Sequence, residues 1–485
     1  MSSPLDNLEP SFVWKHFDQL RQIPRASGKE EKVLAHIKKW AADRKFAVRE
    51  DSVGNLCVVV PATAGHEKAR TVIVQGHVDM VAEKDKATTF DFDKDPIAVR
   101  IDGDWLIADH TTLGADNGLG VAAALASADD PSVVHGPMEI LCTVDEETAL
   151  TGATNLDPKL VEGRTLLNLG SEEDGTLFVG CAGGCTAAID LPVKRAAAPS
   201  DHVAMRVEIT GLKGGHSGLA IHENRGNSIK VLARVLHEWL RKTDLRVDAM
   251  EGGNKHNAIP REASAVVTIP KAFAQEAREL AALTQKKALT ELVTIDPGLT
   301  VTVTEWKEPV AEPADPASTL RLIAMLIGLP HGVLAMSRDI PGLTETSTNV
   351  AIVKTDKAGF QVVTSTRSSV EAALRFGLDQ AKAVVLLAGG TMSESGGYPG
   401  WQPNMSSPLL ATCKSVFREL RGKEPHVTAI HAGLECGIIG EKLGGADMIS
   451  FGPDLAGVHA PGEKVNIPSV ARFWDFYKAV LRSLA

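Results

Sequence analysis

The chain has 485 residues, 44% of them apolar and 23% charged, with 43 Gly and 25 Pro. At roughly 100–200 residues per domain it has room for two to four domains with cores of their own, and its composition excludes a disordered, collagen-like or coiled-coil protein. With 51 Lys and Arg against 61 Asp and Glu the net charge is −10, without a long basic block to attract nucleic acid or an anionic membrane.

No apolar run approaches the roughly 18 residues of a membrane span. The opening stretch MSSPLDNLEPSFVW lacks the basic and apolar regions of a secretory signal, so a cytoplasmic protein is expected. The six cysteines are sparse. Cys57, Cys142 and Cys436 lie in apolar stretches and read as core residues. Cys181 and Cys185 form a C-x3-C with no second pair to complete a zinc knuckle.

In chain order, Val13, Phe17 and Leu20, then Val33, Ile37 and Trp40, recur at helical spacing. Apolar strands follow at Leu56 to Val60, Thr71 to Gln75, Met138 to Val144 and Thr165 to Leu169, with a buried helix at Gly118 to Ala128 between them. Alternating helices and strands apolar on both faces predict an α/β layer with its site at the strand ends. Near Pro192 the texture changes, and VKRAAAPSD reads as a boundary. From Val203 to Leu387, strand-like alternations mix with amphipathic helices such as Asn227 to Leu240 and Ala274 to Leu292. They fall into two strand–helix–strand groups, and GGTMSESGGYPGWQPN marks a second boundary. The last segment returns to α/β texture and ends in a helix from about Ser469. The expected plan is one discontinuous domain, 1–190 with 395–485, holding an inserted domain, 191–394, of one or two α+β units.

Five clusters of acids and histidines stand at strand ends or Gly-rich turns. In QGHVDMV, His77 and Asp79 are two apart at a strand end, so that one can hold a metal while the other orients it. Asp116 in TTLGADNGLG sits before the buried helix, where an N-cap is the plainer reading. Asp145, Glu146 and Glu147 close an apolar strand, where adjacent carboxylates call for a cation or solvent. Glu172, Glu173 and Asp174 close another, and a surface turn serves equally well there. His459 lies in a loop between Gly457 and Pro461. Together these supply the ligand set of a carboxylate/imidazole zinc hydrolase with a spare Glu as base.

Taken in order, H-x-D-M, G-A-D-N-G, D-E-E, G-G-H-S-G and a late H-x-P resemble metallopeptidase family M20. TTLGADNGLG, VGCAGG, LKGGHSG, NAIPRE, ETSTNVAIV, YPGWQPN and IHAGLECG resemble its cytosolic Xaa-His dipeptidase subgroup, and the likeness spans nearly the whole chain. It implies a zinc-peptidase-like domain with a mixed sheet flanked by helices and an inserted α+β lid. By that resemblance His77 binds one zinc with Asp79 steadying it, Asp116 bridges two, and Glu147 and His459 complete the second. Glu146 is then the general base, His216 polarises the scissile carbonyl, and Asn257 and Arg367 hold the carboxylate of a dipeptide. Mn2+ or Co2+ suits the same ligands. A GGHSG loop acting across a homodimer interface is one arrangement the family uses.

Two positions depart from the family pattern. Gly170 stands where N-x-D-S-E-E has an Asp ligand, and Ala149 stands where E-E-x-G has Gly. Gly170 leaves open a mononuclear enzyme, a weakened dinuclear one with Glu172 or Glu173 substituting, or a metal-deficient peptide-binding relative. Another amide hydrolase of the family, an aminoacylase or carboxypeptidase, is the remaining alternative.

Overall fold

A computed structural model describes residues 3–485, and these divide into two compact units: residues 3–180, 401–429 and 434–485 in one, 181–400 and 430–433 in the other. The sequence-based boundaries at 190 and 395 fall inside strands, Gly183–Pro192 and Thr391–Tyr398. The low-complexity look of those stretches has two sources. The polar Ala/Pro run only connects two strands, and the Gly/Ser-rich run is itself an exposed sheet edge.

The first unit is built on an eight-stranded mixed sheet. In spatial order its strands are Ala47–Glu50, Leu56–Val60, Met138–Thr143, Val72–His77, Thr165–Asn168, Asp447–Ser450, Thr176–Cys181 and His426–Ile430. Val72–His77, in the middle, runs parallel to both neighbours, Met138–Thr143 and Thr165–Asn168. All three are buried along their length, as strands covered on both faces must be, which explains their unbroken apolar runs. The helix Ala115–Asp129 is nearly all Ala, Gly and Leu and is buried on every side, packing on the helix Ser11–Leu20 and the His77 strand. The final helix, Ile467–Leu484, opens with Pro468 in its first turn and Asn466 as cap, its side chain accepting from Ser469 N. A small four-stranded sheet, Leu455–Ala456, Lys464–Asn466, Trp105–Ala108 and Val99–Asp102, anchors both ends of the loop that carries His459.

The second unit is one nine-stranded antiparallel sheet. Both strand–helix–strand groups lie in it rather than in separate subunits: Thr300–Glu305, His202–Thr210, Ala263–Pro270 and Arg246–Gly252 continue into Thr344–Thr355, Gly359–Ser368, Gly183–Pro192 and Thr391–Tyr398, and the ninth strand, Gly332–Met336, pairs with Thr344–Thr355 off this path. A single core joins residues from both groups, among them Val207, Trp239, Val267, Leu322, Phe360 and Val385. A separate two-stranded ribbon pairs Gly215–His216 with Ala258–Ile259. All six cysteines are buried and none is in a disulfide. Among the described residues no helix is long and apolar enough to cross a membrane.

Candidate metal centre

Six of the residues singled out in the sequence come together in the first unit. His77 ends the central parallel strand. Its Nε2 lies 3.1 Å from Asp116 Oδ1, and its Nδ1 lies 3.4 Å from Asp79 Oδ1. Asp116 is at the mouth of the buried helix but outside helical geometry, at φ −81° and ψ 113°. Its other oxygen, Oδ2, lies 3.5 Å from His459 Nε2, which in turn lies 2.9 Å from Glu147 Oε2. One carboxylate thus spans an imidazole from each end of the chain.

Asp79 is fully buried and does more than face His77. It accepts hydrogen bonds from Ser27 Oγ at 2.7 Å, Glu146 N at 3.1 Å and Glu147 N at 3.2 Å. One side chain therefore fixes both the histidine and the start of the D-E-E turn. Burial alone would lift its carboxyl, but hydrogen bonds from His77, Ser27 and Glu146 N bring it down to about 2. Asp145 takes the left-handed conformation, φ 49°, and its carboxylate accepts from Thr148 and Thr151, which closes the turn. Ala149, at the family's Gly position, lies in the short helix Glu146–Ala149, where an alanine methyl carries no strain, and the positive φ falls on Leu150, at 54°.

Two residues missed in the sequence hold the frame. Arg25 is buried and donates to the carbonyls of Val78, Asp79 and Gly114, which ties the His77 loop to the Asp116 loop. Glu463 is buried and accepts from the backbone of Leu113, Gly114 and Ala115 at 2.8, 3.2 and 2.9 Å. It lies four residues after His459, and that short spacing was the one available signal. Glu435 is a third buried acid, its Oε2 accepting from Gln75 and Thr143 at 2.7 and 2.9 Å.

The electrostatics are those of a cation site. Burial pushes the Glu146 carboxyl up to about 8, with Glu435, Glu147 and Asp116 adding to the rise and His77 opposing it. Burial also works against ionisation of Asp116, yet His459 and His77 hold it well below the carboxylate range. Hydrogen bonds to Asp116 and Glu147 lift His459 to about 10. Donor atoms of His77, Asp116 and Glu147 lie within 4.8 Å of one another. Two imidazoles and two carboxylates facing one point fit a divalent transition ion.

Gly170 sits beside this centre. A Cβ there would meet Asn117 Nδ2 at 2.5 Å. Asn117 is itself wedged against Gly76 and Gly120, where added Cβ atoms would meet its Oδ1 at 2.6 and 2.2 Å. A side chain at 170 therefore requires Asn117 to move first. Glu172 is exposed by area, but its carboxyl is pushed up to about 7 by desolvation and by the charges of Asp116, Glu463 and Glu147, so it stands within electrostatic reach of the centre.

The other three sequence-predicted residues lie in the second unit. His216 and Asn257 are brought together by the two-stranded ribbon, where Ser217 N donates to Asn257 O at 2.8 Å. His216 Nδ1 accepts from Gly218 N and Leu219 N at 3.2 and 3.1 Å, which leaves the proton on Nε2 as a free donor. Burial first, then the charges of Arg367 and His256, depress its basicity, so the ring is neutral near pH 7. Both residues line a cavity of about 680 Å³. Arg367 comes from the strand Gly359–Ser368 and is buried.

The fold and the paired imidazoles around a shared carboxylate define a metallopeptidase of the M20 type. A segment at residues 202–296 matches the peptidase dimerisation domain of that family. Over 483 residues the chain is 37% identical to the cytosol non-specific dipeptidase of Escherichia coli, covering 99% of both proteins. The solved aminoacylhistidine dipeptidase of Vibrio alginolyticus superposes with a TM-score of 0.94 at 38% identity, over 99% of this chain and 98% of that one. Aminopeptidase PepT of Bacillus cereus shares the fold, with a TM-score of 0.56 at 16% identity over 98% and 99% of the two chains. The chain belongs to peptidase family M20.

Two outcomes follow from this geometry. Gly170→Ala should lower stability by about 1–3 kcal/mol through overpacking against Asn117, measured by urea unfolding; an unchanged midpoint would contradict the close approach. His459 has its folded value raised above the ordinary 6.5, so its contacts stabilise the ion-free fold fully below pH 6.5 and are lost as pH rises toward about 10. The Tm of chelated protein should fall over that window, and less steeply in His459→Ala. Equal slopes in the two proteins would contradict the assignment.

Proposed function

We propose that this protein is a metal-dependent dipeptidase that hydrolyses free dipeptides, Xaa-His dipeptides among them. The observation that carries the reading is the convergence of His77, Asp116, Glu147 and His459 beside Glu146. The two relatives matched along the whole chain, one named a non-specific dipeptidase and the other an aminoacylhistidine dipeptidase, support it.

In this reading His77 and Asp116 hold one divalent ion, zinc in the first instance, and Glu147 and His459 hold a second, with Asp116 between them. Bound there, the ions supply Lewis-acid polarisation of water and of the scissile carbonyl. Asp79 keeps the His77 imidazole turned toward Asp116. Glu146 takes the proton of the attacking water onto a carboxylate oxygen and passes it to the departing amine; a carboxyl lifted toward neutral pH by burial suits both transfers. His216 donates from Nε2 to the carbonyl oxygen as charge develops on it. Asn257 and Arg367 hold the free carboxylate of the substrate, Arg367 through its two-pronged guanidinium. A cytoplasmic location follows the naming of the Escherichia coli relative, and a homodimer follows the matched dimerisation segment.

Glu146→Gln should lower kcat by about 10²–10⁴ on a dipeptide panel that includes β-Ala-His, with metal content by elemental analysis unchanged. Chelation should abolish turnover, and re-addition of Zn2+, Mn2+ or Co2+ should restore it. Turnover of N-acyl amino acids with none of dipeptides would overturn the reading.

A further inference from the structure

We propose that Tyr398 donates a hydrogen bond to the substrate's carboxylate beside Arg367, and that Gly184 is a glycine so that the phenol can reach it. The inference rests on the reading of Arg367 as the carboxylate anchor and adds the residues that complete that anchor.

The argument begins with register. On four adjacent strands of the second unit, Ser347 lies opposite Arg367, Arg367 opposite Gly184, and Gly184 opposite Tyr398. Directly paired residues project to the same face of a sheet, so these four form one row. Arg367 is buried and makes no ion pair with a carboxylate among the described residues; Nη1 donates to Tyr398 Oη at 2.8 Å and Nε has no partner. A buried guanidinium without a counter-charge is costly unless an anion comes to it. On its other flank Ser347 Oγ holds His431 Nε2 at 2.7 Å, and burial together with the charge of Arg367 pushes that imidazole down to about 3. His431 is therefore neutral and cannot serve as the missing partner; nor does it add a competing charge.

Tyr398 reaches the row by two local devices. The pairing of Thr391–Tyr398 with Gly183–Pro192 slips between Ser395 and Tyr398, so three steps on one strand match two on the other. This bulge, at Gly396 and Gly397 with Gly396 at φ 61°, turns Tyr398 to the Arg367 face; regular pairing would have placed Gly397 there. The phenol then lies over Gly184, where an added Cβ would meet Tyr398 Oη at 2.7 Å and Cζ at 2.8 Å. Gly433 clears its other side, with an added Cβ 2.9 Å from the ring. Because the guanidinium donates to Oη, the hydroxyl hydrogen is left to point away from Arg367, toward an acceptor. A carboxylate accepting from both the guanidinium and the phenol satisfies every group in the row.

The test compares a free dipeptide with the same dipeptide bearing a C-terminal amide, using KM and kcat for the first and competitive KI for the second. Tyr398→Phe should raise KM for the free dipeptide about tenfold, change kcat by less than about twofold, and leave KI of the amide unchanged. Gly184→Ala should move KM the same way. Arg367→Met should remove the preference for free acid over amide altogether. An equal loss on acid and amide in Tyr398→Phe, or no loss on either, would overturn the inference while leaving Arg367 in place. Retention of the acid preference in Arg367→Met would instead overturn the underlying reading.

Discussion

The first unit is organised around a concentration of carboxyl groups withdrawn from water. Asp116 stands between two imidazoles, Glu147 lies against one of them, and Glu146, Glu435 and Glu463 are packed close by. Removing that many carboxylates from water is expensive, and the chain sets two histidines and the Arg25 guanidinium against them. The strand order makes the crowding unavoidable: three parallel strands, with His77, Thr143 and Asn168 at their ends, finish on the same side of the sheet. The acids that follow each strand are brought to one place by topology before any side-chain chemistry is considered.

The two units divide the chemistry by kind. The first gathers imidazoles and carboxylates, His77 and His459 with Asp116, Glu146 and Glu147. The second gathers neutral imidazoles, His216 and His431, around a positive charge, Arg367, that makes no ion pair among the described residues. The reading of the chain as a metal-deficient peptide binder is not favoured, because His77, Asp116, Glu147 and His459 stand together despite Gly170.

Much of this was legible in the sequence because the candidate ligands stand where a regular pattern stops. His77 and the D-E-E turn close apolar strands, and Asp116 opens an apolar helix, so each interrupts a burial pattern with a charge. Arg25 and Glu463 gave little such signal. Their partners are backbone carbonyls and amides, which any sequence supplies, and their burial depends on loops meeting from distant parts of the chain. Tyr398 was hidden for another reason: its facing depends on a bulge, which alternation along a strand does not reveal. The middle of the chain left one or two units open because helices interrupt its strands, yet hydrogen bonding joins those strands into one sheet. His431 and Glu435 lay inside a recognised motif, but only the coordinates give them partners, Ser347 for the one and Gln75 with Thr143 for the other.

Arg25 and Glu463 also bear on how the centre is assembled. Three carbonyls gripped by one guanidinium and three amides gripped by one carboxylate give the loops around Asp116 their shape through bonds that involve no ion. Six hydrogen bonds of the polypeptide to itself, reaching from residue 25 to residue 463, thus set the outline into which the Asp116 carboxylate is placed.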